Sequence, residues 1–117
     1  MKLAVIIALA CSPAAAQTSL IGTWCSEAGD QALFIAADSM GIGDHRVCDW
    51  ANAPTDSPDH ETRIACRQIY FDDSDEPVVI GLSEYQFTAN LNGPYHMRAS
   101  FDDGSARFSY DYTRCDG

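Results

Sequence analysis

Tyr85-Gln-Phe-Thr-Ala-Asn-Leu91, Tyr95-His-Met-Arg-Ala-Ser-Phe101 and Ala106-Arg-Phe-Ser-Tyr-Asp-Tyr112 follow one another along the chain, and each alternates apolar and polar residues with period two. Asp102-Asp103-Gly104-Ser105 separates the last two runs, and Asp-Gly is a strong type I′ hairpin signal. A turn centred on Asp103-Gly104 pairs Phe101 with Ala106, Ala99 with Phe108, Met97 with Tyr110 and Tyr95 with Tyr112. On the other face it sets Arg98 against Ser109 and His96 against Asp111. Asn92-Gly93-Pro94, read as a three-residue loop, sets Leu91 opposite Tyr95, Ala89 opposite Met97, Phe87 opposite Ala99 and Tyr85 opposite Phe101. The two hairpins are read independently and agree on the apolar face of the middle strand, which a one-residue slip would invert. The chain therefore ends in a three-stranded antiparallel meander.

Upstream, strands are expected at Leu20–Trp24, Ala32–Ala36, Arg46–Trp50, Ile64–Tyr70 and Pro77–Leu82. Asp72–Pro77 reads as an acidic turn. Ala51–Thr62, with Pro54 and Pro58, reads as a mobile loop with room for a helical turn near Asp56–Glu61. No segment carries a helical stripe. About seven or eight short strands in one unit imply an all-β antiparallel barrel or sandwich.

Met1-Lys2, the apolar run Leu3–Ala10 and Ser12-Pro13-Ala14-Ala15-Ala16 have the form of an export signal cleaved before Gln17. Residues 1–16 are thus expected to be removed, leaving 17–117 as one periplasmic or secreted domain. Ala8-Leu9-Ala10-Cys11 offers a lesser alternative, a lipid anchor on Cys11. No later run approaches the roughly 20 apolar residues of a membrane-spanning helix.

The remaining cysteines, Cys25, Cys48, Cys66 and Cys115, are an even set behind an export signal, which points to two disulfides. Of the three connectivities, Cys25–Cys48 with Cys66–Cys115 is favoured, because it ties the first strands together and pins the C-terminus. No close Cys-x-x-Cys pair suggests redox chemistry, and the spacing is too wide for a structural zinc site.

Cleavage would remove the only lysine and leave six arginines against seventeen acids, a formal charge of −11. Thirteen of the acids are Asp, which favours turns over helices. Such a surface excludes nucleic acid and disfavours anionic membranes. It suits a cationic exported protein or peptide, with Asp72, Asp73, Asp75 and Glu76 as candidate contacts.

No catalytic motif, cofactor motif or metal motif is present. Weak Ca²⁺ binding at Asp72–Glu76 or Asp102-Asp103 is conceivable, but Pro77 and Val78 break the EF-hand pattern. His45, His60 and His96 are scattered, and a His96/Asp111/Ser109 set on an open sheet would lack a pocket and oxyanion donors. The apolar face offers Trp24, Tyr85, Phe87, Tyr95, Met97, Phe101, Phe108, Tyr110 and Tyr112. Its tyrosines need hydroxyl partners, so the face could line a site for a small amphipathic ligand as well as fill a core.

Leu20-Ile-Gly22-Thr-Trp24 resembles the Gly-x-Trp that opens the first strand of calycins, the lipocalin and avidin-like barrels. The resemblance implies that Trp24 packs across a closed barrel end, with Gly22 allowing a close approach. It covers three to five residues, and no avidin biotin site or lipocalin ligand residue maps onto this chain. Small exported inhibitors of lysozymes and metalloproteases share the fold class and size, without their hallmark motifs here. Sequence thus points to an exported binding protein: an inhibitor or accessory factor for a cationic protein, a small-ligand carrier, or an envelope protein without a ligand.

Overall fold

The computed structural model describes residues 19–26, 31–71 and 76–115. Eight strands follow in chain order: β1 (Gly22–Ser26), β2 (Leu33–Ile35), β3 (Met40–Ile42), β4 (Arg46–Trp50), β5 (Asp59–Phe71), β6 (Pro77–Leu91), β7 (His96–Asp102) and β8 (Arg107–Arg114). Each pairs antiparallel with its neighbour, and β8 returns to β1, so the sheet closes as an up-and-down barrel rather than a sandwich. No helix lies among the described residues. The expected leader (1–16), its Cys11, and the acids Asp72, Asp73 and Asp75 fall outside them.

The interior is built by alternation. Leu33 and Ile35 of β2, Met40 and Ile42 of β3, and Met97, Ala99 and Phe101 of β7 point inward and are buried. Trp24, Phe87 and Ile64 complete the packed section. Ala89 and Ala99 face each other across β6 and β7, and such small residues leave room for their large neighbours. Burying Phe87 alone contributes roughly 2–3 kcal/mol.

Both hairpins of the meander differ from expectation by two residues. Phe101 pairs with Phe108, Ala99 with Tyr110, Met97 with Tyr112 and Arg98 with Asp111. Across β6 and β7, Leu91 pairs with Met97, Ala89 with Ala99 and Phe87 with Phe101. A shift of two preserves which side chains face inward, which is why pattern alone could not detect it. The cause lies in the turns. Asp103 Oδ1 accepts the N–H groups of Ser105 and Ala106, and Asp102 Oδ1 accepts that of Gly104. These bonds favour a four-residue loop, Asp103–Ala106, over a two-residue turn. Those backbone bonds also hold the Asp103 carboxyl below its ordinary value. Tyr95 falls in the preceding turn, outside β7.

Three further expectations are corrected. Strand β3 was not expected, because three residues around Gly41 are too few to show a period. Asp59–Thr62 belongs to β5, not to a loop or helical turn, since His60 and Thr62 occupy inward positions that an apolar pattern cannot flag. Pro77–Leu82 and Tyr85–Leu91 are one strand, carried past Gly81 by a bulge opposite Arg67 and Gln68. Gly81 has a φ of 73°, the left-handed backbone that such a bulge needs.

The favoured disulfide connectivity is also overturned. Cys48 and Cys66 are direct partners across β4 and β5, with Cα atoms 4.0 Å apart. Cys25 bonds to Cys115 across the β1–β8 seam, with Cα atoms 5.0 Å apart. Closure of the barrel brings the first and last strands together, and no linear reading of the strands contains that proximity. Two disulfides point to an oxidising compartment.

Candidate functional site: the open end of the barrel

The two ends of the barrel differ. At one, where β1 begins and β8 ends, Trp24 is fully buried and its indole N–H donates to the Leu20 carbonyl. Arg114 lies over the ring, its guanidinium carbon 4.3 Å from the ring centre. Its nitrogens donate to the carbonyls of Pro94, Ile21 and Ser19. This end is sealed.

The opposite end is a cup of about 370 Å³, within the usual range of small-molecule clefts. Tyr85, Phe101, Phe108, Tyr110 and Tyr112 form its aromatic wall. They continue a ladder of rings from the core: Trp50 to Phe87 (5.6 Å between centres), Phe87 to Phe101 (5.2 Å), Phe101 to Tyr110 (6.2 Å) and Tyr110 to Tyr112 (6.2 Å). Ser26, Gln31, Ile42 and Arg46 line the rest. Burial, with Tyr110 beside it, pushes the Tyr112 phenol up to about 12. It therefore stays a neutral hydrogen-bond donor at any physiological pH.

Arg46 is the one charged group among the described lining residues, and no described carboxylate forms an ion pair with it. Arg63, Arg67 and Arg98 are paired, with Glu84, Asp49 and Asp111 respectively. Arg46 also borders a second hollow of about 320 Å³, where His45 stacks on Tyr70 at 4.8 Å. The cup thus presents a guanidinium, phenol hydroxyls and an amide from Gln31 against an aromatic wall. Hydrogen-bond donors dominate its polar chemistry.

Of the nine aromatic and apolar residues expected to line a site, Tyr85, Phe101, Phe108, Tyr110 and Tyr112 lie in the cup. Trp24, Phe87 and Met97 are core residues below it, and Tyr95 is exposed in a turn. Sequence reasoning missed Arg46, Gln31, Ile42 and Ser26. Arg46 had a signal: it lies two residues before Cys48 on β4, so alternation puts it on the same inward side.

The other expected residues are dispersed. His96 faces Thr113, Asp111 binds Arg98, and Ser109 shares a hydrogen bond with Ser100, so these groups do not converge. The His60 ring is bonded to the Asn52 carbonyl at 2.8 Å and sits edge-on to Trp50. No cluster of three metal-ligating side chains occurs among the described residues, and Asp102 and Asp103 direct oxygens at their own turn. Of the expected acidic contacts, Glu76 is described and exposed. No family model matches the chain, and neither do curated proteins or solved structures.

Proposed function

We propose that this chain is an exported binding protein, periplasmic or secreted, that holds a small amphipathic carboxylate in the open end of its barrel. The observation that carries this reading is Arg46, a guanidinium without a described acid partner, set in an aromatic cup of about 370 Å³. A half-buried guanidinium facing an aromatic cup is well placed to receive an anionic group. Arg is suited to a carboxylate, which it engages with two parallel hydrogen bonds. The rings of Phe101, Phe108 and Tyr110 would cover the apolar body of the ligand. Gln31 and the neutral Tyr112 phenol supply further donors.

Calorimetry with decanoate and with decylammonium tests this reading. The two share an apolar tail and differ in the sign of the head. Decanoate is expected to bind at least tenfold more tightly, and Arg46→Gln to abolish the preference. Equal binding of both probes, or an Arg46→Gln variant that still prefers decanoate, would sink the idea.

The long β5–β6 hairpin favours a second reading, in which the chain also docks on a cationic exported protein. The contacts are then the hairpin and the loop 51–58 that precedes β5, with acidic charge supplying the attraction.

A further inference from the structure

Strand β6 pairs with β5 from Pro77 onward, yet it pairs with β7 only from Gln86. Residues Pro77–Tyr85 therefore form an open edge, projecting from the cup end with no described strand beside it. Along this edge Val78, Val79, Ile80 and Leu82 are exposed, Leu82 at 81 %. Strand edges are ordinarily blunted by charge, proline or a bulge. Here Pro77 stands at the start and the Gly81 bulge lies within, but no charge interrupts Pro77–Ser83. The apolar stretch instead has an acid at each end, Glu76 and Glu84.

We infer that this edge is a strand-addition site for an extended segment of a partner protein, apolar and β-branched in its middle and basic at both ends. Backbone hydrogen bonds to an open edge supply affinity, and side chains at alternate positions supply selectivity. The two acids select the flanks. A second copy of this chain is the alternative occupant, but charge opposes it. Antiparallel pairing of two such edges about a two-fold axis would set Glu76 of one copy near Glu84 of the other, twice, between chains of formal charge −10 each. Basic flanks remove that conflict in either strand direction. Glu84 already binds Arg63 at 2.8 Å, but its side chain is 67 % exposed and keeps an acceptor face to solvent. Glu76 and Glu84 stand eight residues apart, roughly 27 Å along a strand, which sets the spacing of the basic residues. Tyr85 alone is shared with the cup wall, and residues 76–84 carry the edge, so failure of decanoate binding leaves the proposal untouched.

The test is hydrogen exchange on the disulfide-bonded protein, with three nine-residue peptide probes. They are Lys-Val-Thr-Ile-Thr-Val-Thr-Val-Lys, the same peptide with Glu at both ends, and the basic peptide N-methylated at alternate residues. The basic peptide is expected to slow exchange confined to residues 77–85 at least tenfold. The acidic and N-methylated peptides are expected to give no protection, and Glu76→Lys with Glu84→Lys to reverse the preference between the charged probes. Equal protection by basic and acidic peptides, or none by either, overturns the proposal. So does sedimentation showing a dimer whose edge is already protected without peptide, because the occupant is then a second copy.

Discussion

The Arg114 guanidinium covers the Trp24 ring at 4.3 Å and locks two separate stretches of chain onto the closed end of the barrel. Its three nitrogens reach the carbonyls of Ser19, Ile21 and Pro94, which belong to the segment entering β1 and the turn entering β7. Gly22 fits the same arrangement. A Cβ there would lie 2.7 Å from an Arg114 nitrogen, at a φ of 148° that disfavours side chains. Cation, ring and glycine form one unit.

Arg114→Met is therefore expected to cost about 2–3 kcal/mol, from the lost cation–π contact and three carbonyls left without their donor. For a domain of this size that lowers Tm by roughly 10–15 °C. Arg114→Lys keeps the charge but cannot reach three carbonyls at once, so it should recover less than half of the loss. Gly22→Ala should resemble Arg114→Met. Thermal melts of the three variants check this, and a Gly22→Ala protein as stable as wild type would contradict it.

The two disulfides should differ in the chain entropy they remove. Cys25–Cys115 closes a loop of 90 residues and Cys48–Cys66 one of 18. In the chain-entropy model they contribute about 4.6 and about 3.2 kcal/mol. Cys48 and Cys66 are both buried, so their replacement by Ala also leaves a hole inside the barrel. Urea unfolding of the two double variants should thus give similar total losses. Peptide mapping without reduction should recover Cys25 joined to Cys115, and finding Cys25 joined to Cys48 would refute the pairing.

Which parts of this structure were legible in the sequence follows from the range of each interaction. The all-β class and the inward faces of β7 and β8 came from period-two alternation, a local property. Hairpin register did not, because the side chains of Asp102 and Asp103 choose the loop, and a shift of two leaves the pattern unchanged. The Cys25–Cys115 bond depends on β8 meeting β1, the longest-range contact in the fold, whereas Cys48–Cys66 joins two consecutive strands. The aromatic half of the cup was visible as an excess of rings on one face. Arg46 was passed over because one arginine at the start of a strand looks like a solvated charge, although its alternation with Cys48 marks the inward side.

Phe87 connects core and cup, lying fully buried between Trp50 and Phe101. Phe87→Ala should cost roughly 3–5 kcal/mol. Phe87→Leu preserves most of the volume and should cost less, but it removes the ring on which Phe101 rests. A folded Phe87→Leu protein is expected to bind decanoate several-fold more weakly, with no change in its exchange protection by the basic peptide. Loss of both activities together would show that the two sites are not independent.

Tyr112 gives the barrel a stability limit in alkali. Its phenol is raised to about 12 in the folded protein, mainly by burial, against an ordinary value near 10. Between those values the folded chain keeps a proton that the unfolded chain has lost. The unfolded state then binds fewer protons, so stability falls as pH rises through this window, and the contribution is complete only below about pH 10. Tyr112→Phe has no such proton to lose. Brief urea unfolding at pH 9 and pH 11.5 should show wild type losing more stability than Tyr112→Phe between the two conditions. Absorbance at 295 nm should show one phenolate fewer in the variant, and the missing one should be among the last to appear in wild type. Parallel losses in the two proteins would mean that Tyr112 is open to solvent and that the cup is wider than described.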